Sequence, residues 1–136
     1  MSSTDIHRDD LGHLLIQTSA DIDAMPWEPV GSPGMDSKVL WRSGDVVLGL
    51  MRVSPGHEME PHTHLGAHHH ILMTQGSCRM MGREVSTGAY VYIPPGVSHG
   101  VSDVSADGCT FFYTYRPVEV PSVESSPLDS THGTPV

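Results

Sequence analysis

The sequence predicts an all-β domain, built as a sandwich or a closed barrel. Short runs of β-branched, aromatic and apolar residues recur along the middle of the chain, and Gly- or Pro-containing turns such as "SPG", "STG" and "PPG" separate them. No segment shows a helical period of useful length. A length of 136 residues, with 38% hydrophobic residues, is enough for one domain with its own core.

The predicted strands follow one another from residue 37 to residue 116. Strict alternation is clearest in residues 90–93 and 111–115. In chain order the strand segments read "SKVLWR", "DVVLGLMRV", "HHHILMTQ", "SCRMM", "REVS", "AYVYIP", "SHGVSDV" and "CTFFYTYR". Many short, evenly spaced strands are typical of a sandwich or barrel, and closing the barrel removes exposed strand edges.

The two ends of the chain differ from the middle in composition. Residues 1–27 include "LGHLLIQTSADIDAM", which suits either a strand or a short helix and is long enough to swap onto the sheet of a partner. Residues 117–136 are rich in Pro, Ser and acidic residues without apolar periodicity, which predicts a mobile tail. The predicted barrel therefore covers residues 28–116.

Charge and composition exclude several classes of partner. A formal net charge of −9 argues against nucleic acid, which requires a basic face. No run approaches the roughly 20 apolar residues of a membrane helix, and the charged start does not resemble a secretory leader. Cys78 and Cys109 lack the spacing of a metal knuckle or redox pair, which predicts buried thiols in a reducing cytoplasm. A small molecule is the expected partner.

Histidines concentrate in the stretch "PHTHLGAHHHILMTQG". Residues two apart in a strand share a face, so His62 and His64 are predicted to project together. After the turn "LGA" the next strand carries three more histidines, and His99 follows the turn "PPG". Imidazole is the commonest metal ligand, so this convergence predicts a metal site. The isolated residues His7, His13, His57 and His132 are interpreted as ordinary surface histidines.

Two motifs in this region resemble those of the cupin superfamily. The first cupin motif is Gly, five residues, His-x-His, three or four residues, Glu, six residues and Gly; the second has Gly, Pro-x-Gly, His and Asn. The matching positions are Gly56, His62, His64, His69 and Gly76 in the first motif and Gly88, Pro94, Gly96, His99 and Asp103 in the second. The resemblance implies a single-domain jelly-roll barrel with a metal inside.

The sequence departs from the cupin motif at the glutamate. Counting back from Gly76 places His69 there, whereas the shorter spacing would place His68 there. The predicted ligands are thus His62, His64, His69 and His99. The flanking His68 and His70 are predicted either to point away from the metal or to act as proton carriers in catalysis. A nitrogen-only site suits zinc, nickel, copper, iron or manganese. The resemblance favours one divalent ion, zinc first and iron next.

The resemblance also suggests what the barrel binds and does. Flexible and aromatic side chains are predicted to line a substrate pocket, namely Met51, Met73, Tyr92, Phe111 and Tyr113. The chain resembles histidine-rich cupin polyketide cyclases, which implies Lewis-acid aldol-type cyclisation of a β-dicarbonyl intermediate. Two alternatives are an Fe(II)-dependent dioxygenase cleaving a β-diketone or hydroxyacetophenone, and a metal-bearing sensor cupin. The resemblance further implies a homodimer.

Overall fold

The computed structural model describes residues 13–118 and consists of ten strands and one short helix. The helix, α1, spans Ser19–Ala24. The strands are β1 (Glu28–Pro29), β2 (Met35–Ser43), β3 (Val46–Val53), β4 (Met59–His62), β5 (Ala67–Gln75), β6 (Ser77–Met80), β7 (Arg83–Ser86), β8 (Tyr90–Ile93), β9 (His99–Val101) and β10 (Cys109–Pro117). The predicted all-β class and the single barrel domain are confirmed.

One large antiparallel sheet forms the main wall of the barrel. Its strand order is β1-β2-β3-β10-β5-β8, so the last strand lies between two strands from the first half of the chain. In β5, Ile71 and Met73 are buried while Leu72 between them is 42% exposed. The period of two thus sends alternate residues of this strand to the inside and outside of the barrel.

Two smaller antiparallel pairs face this sheet. Strand β4 pairs with β9, and β6 pairs with β7. A β-bridge between Arg79 and Ser102, with backbone N–H to carbonyl distances of 2.7 and 3.0 Å, links the second pair to the residue after β9. The enclosed core is apolar, and its fully buried side chains are Val53, Met73, Cys78, Cys109 and Phe111. Both cysteines are free and buried, in agreement with the sequence prediction.

The structure adds three elements that the strand pattern does not predict, namely β1, β4 and α1. The helix begins with a capping box, because the Thr18 hydroxyl accepts from the Asp21 N–H while the Asp21 carboxylate accepts from the Thr18 N–H. The segment lies across β2, where Gln17 donates to the Leu40 carbonyl and Lys38 donates to the Ile22 carbonyl. For residues 13–27 the open choice between strand and helix is therefore resolved as a short helix.

Some predictions about the two ends of the chain fall outside the described residues. Strand β10 ends at Pro117, so nearly all of the predicted tail over 117–136 lies beyond the described part, as do His7 and His132. Of the other predicted surface histidines, His13 and His57 are exposed. Within residues 13–118 no helix is long and apolar enough to span a membrane.

Candidate metal centre

Strands β4 and β9 bring the first two histidines together. His62 and His99 are directly opposite each other in this antiparallel pair, and their ring centroids lie 4.4 Å apart. Gly100 allows the close approach, because a Cβ at this position would lie 2.6 Å from the Met59 carbonyl oxygen. A larger residue at position 100 would push β4 away and separate the two imidazoles.

His64 completes a compact group of three imidazoles. It follows β4 by two residues, and its Nε2 lies 3.0 Å from Nε2 of His62. One nitrogen from each of His62, His64 and His99 lies within 4.8 Å of the other two. Among the described residues these three form the group whose spacing suits a metal ion. This arrangement brings together three of the four predicted ligands.

Backbone carbonyls orient two of these rings. The Nδ1–H groups of His62 and His99 donate to the Glu60 and Val97 carbonyls at 2.8 and 3.0 Å. In each ring this leaves Nε2 with a lone pair, and Nε2 of His99 is buried without a hydrogen-bond partner. Buried polar atoms are normally paired, and metal-binding histidines usually donate their other nitrogen to such an acceptor. The residues therefore fit a bound divalent transition metal.

His69 lies beside this group on β5. Its ring centroid is 5.6 Å from that of His99 and 5.8 Å from that of His64, and its side chain is 7% exposed. Its Nδ1 is also buried without a partner. His69, not His68, is therefore the histidine of this strand that faces the interior. Its ring lies farther from His64 and His99 than the rings of the group of three lie from one another.

The environment keeps the inner imidazoles neutral. Burial lowers the pKa of His69 to about 3, with smaller contributions from His99, His64 and His62. Burial also lowers the pKa of His64. For His99, burial lowers the pKa more than the hydrogen bond to the Val97 carbonyl raises it. Neutral imidazole is the form that ligates metals, so the pocket maintains the ligands in their binding state at neutral pH.

Tyr115 is a site residue that the sequence prediction does not single out. Its hydroxyl lies 2.6 Å from Nε2 of His64, and its ring stacks on His69 with centroids 4.5 Å apart. Burial, and secondarily Tyr113, raises the pKa of Tyr115 to about 12. The strict alternation of residues 111–115 was the available signal, because it places every second residue of this strand on the inner face.

The histidines form part of the wall of a cavity of about 540 Å³. Of the predicted pocket residues, Met51, Phe111 and Tyr113 line it. Other apolar lining residues are Met35, Val47, Met59, Ile71, Met80 and Val101. The volume lies in the range typical of small-molecule sites, and the mostly apolar wall with a few converging polar groups has the usual composition of such a site.

Two of the predicted pocket residues, Tyr92 and Met73, do not line the cavity. Tyr92 is 41% exposed on the outside of the barrel, because it pairs with His70 and therefore shares its outward face. Met73 faces inward but is 1% exposed and packs in the core, and it does not line the cavity. The alternation was evident in the sequence, but which face of β8 points inward depends on its register with β5.

The two predicted proton carriers also lie outside the barrel. Nδ1 of His68 is 2.7 Å from the Tyr92 hydroxyl, and Nδ1 of His70 is 2.7 Å from the Tyr90 hydroxyl. Their neighbour His69 faces the interior, and the period of two forces residues on either side of it outward. The structure therefore does not bring His68 and His70 to the metal centre.

Comparison with known proteins supports the cupin interpretation. Residues 16–119 match the family model of the ChrR cupin-like domain. The polyketide cyclase RemF from Streptomyces resistomycificus is similar at 25% identity and a TM-score of 0.66, over 85% of this chain and 90% of that one. A search of curated proteins finds no match.

Two further solved structures share the fold at lower identity. KdgF from Halomonas sp. has 22% identity and a TM-score of 0.60, over 71% of this chain and 92% of that one. The anti-sigma ChrR of Rhodobacter sphaeroides, solved with SigE, has 18% identity and a TM-score of 0.60, over 70% of this chain and 51% of that one. With 104 of 136 residues matched to its model, the chain belongs to the ChrR cupin-like domain family of the cupin superfamily.

Proposed function

We propose that this protein is a metal-dependent enzyme that promotes aldol-type cyclisation of an enolisable β-dicarbonyl substrate, such as an aromatic polyketide intermediate. The observation that carries the proposal is a group of three imidazoles, His62, His64 and His99, at the wall of an apolar cavity. The similarity to the polyketide cyclase RemF supports the same reaction class.

The type of ligand favours Lewis-acid chemistry. His62, His64 and His99 would hold the ion, and His69 is the proposed fourth ligand. A divalent ion bound there would polarise a carbonyl oxygen and favour the enolate, since neutral ligands do not reduce its charge. Zinc is the proposed ion, with iron next.

The chain itself supplies a proton donor and a dry environment. With a pKa raised to about 12, the Tyr115 hydroxyl stays protonated at neutral pH and can donate to an oxygen that gains negative charge. Apolar side chains such as Met51 and Phe111 exclude water and leave room for a folded, planar substrate. Tyr115 takes over the proton-donating part of the role that the sequence prediction gave to His68 and His70.

Proton exchange at the α-carbon tests this proposal directly. We expect the zinc-loaded protein to accelerate deuterium incorporation into ethyl 2-methylacetoacetate, followed by NMR in D₂O, and we expect the metal-free protein and His64→Ala to lose this acceleration. His57→Ala, a change at an exposed histidine outside the group, is the matched control. Failure of the zinc, iron and manganese forms alike to accelerate exchange would overturn enolate chemistry at this site.

Two alternatives predict other results in parallel assays. In the dioxygenase alternative, an oxygen electrode would record iron-dependent oxygen uptake with acetylacetone. The sensor alternative is favoured by the match to the ChrR cupin-like domain. It predicts metal binding without turnover of any β-dicarbonyl. The homodimer and the cytoplasmic location remain predictions, and light scattering tests the first.

A further inference from the structure

We propose that Arg42 binds an anionic group of the substrate at the end of the cavity remote from the metal centre. The inference rests on the proposed function and narrows its substrate class to acids, such as aryl carboxylates or phenolate-bearing polyketides. It arises from one unusual feature of the cavity wall, a guanidinium set among apolar side chains.

Strand register places Arg42 on the inner face of the large sheet. A bulge in β2 between Val39 and Trp41 shifts the pairing, after which Arg42 lies opposite Val47 of β3. Val47 pairs in turn with Tyr115, and Tyr115 with His69. These residues form one row across four neighbouring strands, and Arg42 and His69 are at its two ends.

The row fixes the separation between the two polar ends. Neighbouring strands are about 4.8 Å apart, so three spacings put the Arg42 and His69 backbones about 14 Å apart before the sheet curves. Val47 and Tyr115 lie between them in the row, and apolar residues such as Ile71 and Phe111 line the same cavity. A substrate of one or two rings, with chelating oxygens at one end and an acid group at the other, suits this arrangement.

One donor of the Arg42 guanidinium, its Nε–H, is buried and lacks a hydrogen-bond partner. The ion pairs of Arg52 with Asp36 and of Arg79 with Asp103, at 3.0 and 4.0 Å, involve other guanidinium groups. A buried donor without a partner is costly, and an incoming carboxylate would satisfy it with a charge-assisted hydrogen bond.

A second tyrosine adds to the polar character of this end. Tyr113 lies near Arg42, and a Cβ on the adjacent Gly49 would be 3.1 Å from its hydroxyl oxygen. Its hydroxyl also bonds to the Ser37 side chain. Glu60, the other charged lining residue, is exposed to solvent in β4, the strand that carries His62. The ring of Tyr113 also lies 6.1 Å from that of His69, so this tyrosine connects the Arg42 end of the cavity with the metal centre.

A matched pair of ligands tests the inference. The probes are 1-phenylbutane-1,3-dione and the same molecule with a carboxylate at the para position of its phenyl ring, so they differ only in the acid group. Each is titrated into the zinc-loaded protein by calorimetry. We expect the carboxylate to bind at least about tenfold more tightly, and we expect Arg42→Gln to abolish that preference while the neutral probe binds as before. Arg116→Gln, a change at an exposed arginine on β10, should leave the preference intact.

Controls separate folding from recognition. Melting temperature and zinc stoichiometry report whether Arg42→Gln is folded; if it is not, Arg42→Met, which keeps an apolar stem of similar length, replaces it. Equal binding of the two probes to the wild-type protein, or a preference that survives both substitutions, would overturn the inference.

A metal-free arm keeps this inference distinct from the proposed function. Thermal shifts of the metal-free protein with 4-butylbenzoate and 4-butylbenzamide should show a larger shift for the acid, and the difference should disappear in Arg42→Gln. If that difference is present while α-carbon exchange is absent, acid recognition stands and cyclase chemistry fails. If α-carbon exchange is present but the acid is not preferred, the cyclase chemistry stands and the acid recognition by Arg42 fails.

Discussion

Three consecutive histidines on β5 experience two different environments. His69 faces the interior, is 7% exposed, and has a buried Nδ1 without a partner. His68 and His70 face outward, and each has its Nδ1 2.7 Å from a tyrosine hydroxyl of β8. Nδ1 of each outer histidine thus has a partner within the protein, whereas Nδ1 of His69 and Nε2 of the nearby His99 have none.

This difference indicates which imidazoles the fold has prepared for a ligand. A hydrogen bond exchanged with water contributes little, but a buried nitrogen without a partner costs about 1–3 kcal/mol. Among the histidines of residues 13–118, two carry such an atom, namely Nδ1 of His69 and Nε2 of His99. A metal ion shared by the inner group would compensate for this cost, and no such compensation is needed outside.

Removing a ring from the inner group should have the largest effect. We expect His99→Ala to weaken zinc binding by at least about a hundredfold, since even changes in the partners of metal ligands cost ten- to a hundredfold. Competition with a chromophoric chelator measures the affinity. His70→Ala on the outer face is the matched control and should bind zinc like the wild type. Equal losses in the two variants would contradict the distinction between the faces.

Acidification should destabilise the metal-free protein through the inner ring. The pKa of His69 is lowered from 6.5 to about 3 by folding, so between these values the unfolded chain binds a proton that the native state does not. The resulting destabilisation is absent above pH 6.5 and grows as pH falls towards 3, at up to about 1.4 kcal/mol per pH unit.

Denaturant unfolding at several pH values measures this loss. The difference in unfolding free energy between the wild type and His69→Leu isolates the contribution of His69 from those of other titrating groups. A difference that does not change between pH 6.5 and 4 would show that His69 is not held neutral by burial.

Replacing His69 tests whether it is the fourth ligand. We expect His69→Leu to weaken zinc binding by about tenfold, less than the loss in His99→Ala, because His69 lies outside the compact group of three. Above pH 6.5 the metal-free variant should be as stable as the wild type or more so, since a buried nitrogen without a partner is replaced by an apolar group. Unchanged zinc affinity would limit the ligand set to three histidines.

The metal motif was largely predictable from the sequence because its spacing encodes strand geometry. His62 and His64 were predicted to project together, and their Nε2 atoms lie 3.0 Å apart although His64 follows the end of β4. The spacing from His69 to Gly76 selected the histidine of β5 that faces inward. Asp103, where cupins often have Asn, adopts a φ of 50°, a left-handed conformation that both residues tolerate. This explains why that departure does not disturb the motif.

The parts that sequence could not predict depend on register and on distant pairing. Tyr92 faces outward because it pairs with His70, and nothing local to β8 specifies this partner. Arg42 reaches the inner face through a bulge in β2, and Tyr115 meets His64 across 51 positions of the chain. The periodicity of a strand shows which residues share a face, but only the neighbouring strand decides which face is inside.

The smallest expected effect comes from the outer pair of histidines. Tyr90→Phe removes the hydroxyl that is hydrogen-bonded to His70, at a position 61% exposed. We expect a loss of about 0.5–1.5 kcal/mol in unfolding free energy, measured in urea, with no change in zinc affinity. Tyr92→Phe, which removes the bond to His68, should behave alike. These hydrogen bonds lie on the outer face of β5 and do not contact the proposed metal ligands. Weaker zinc binding in either variant would therefore mean that the two faces of β5 are coupled.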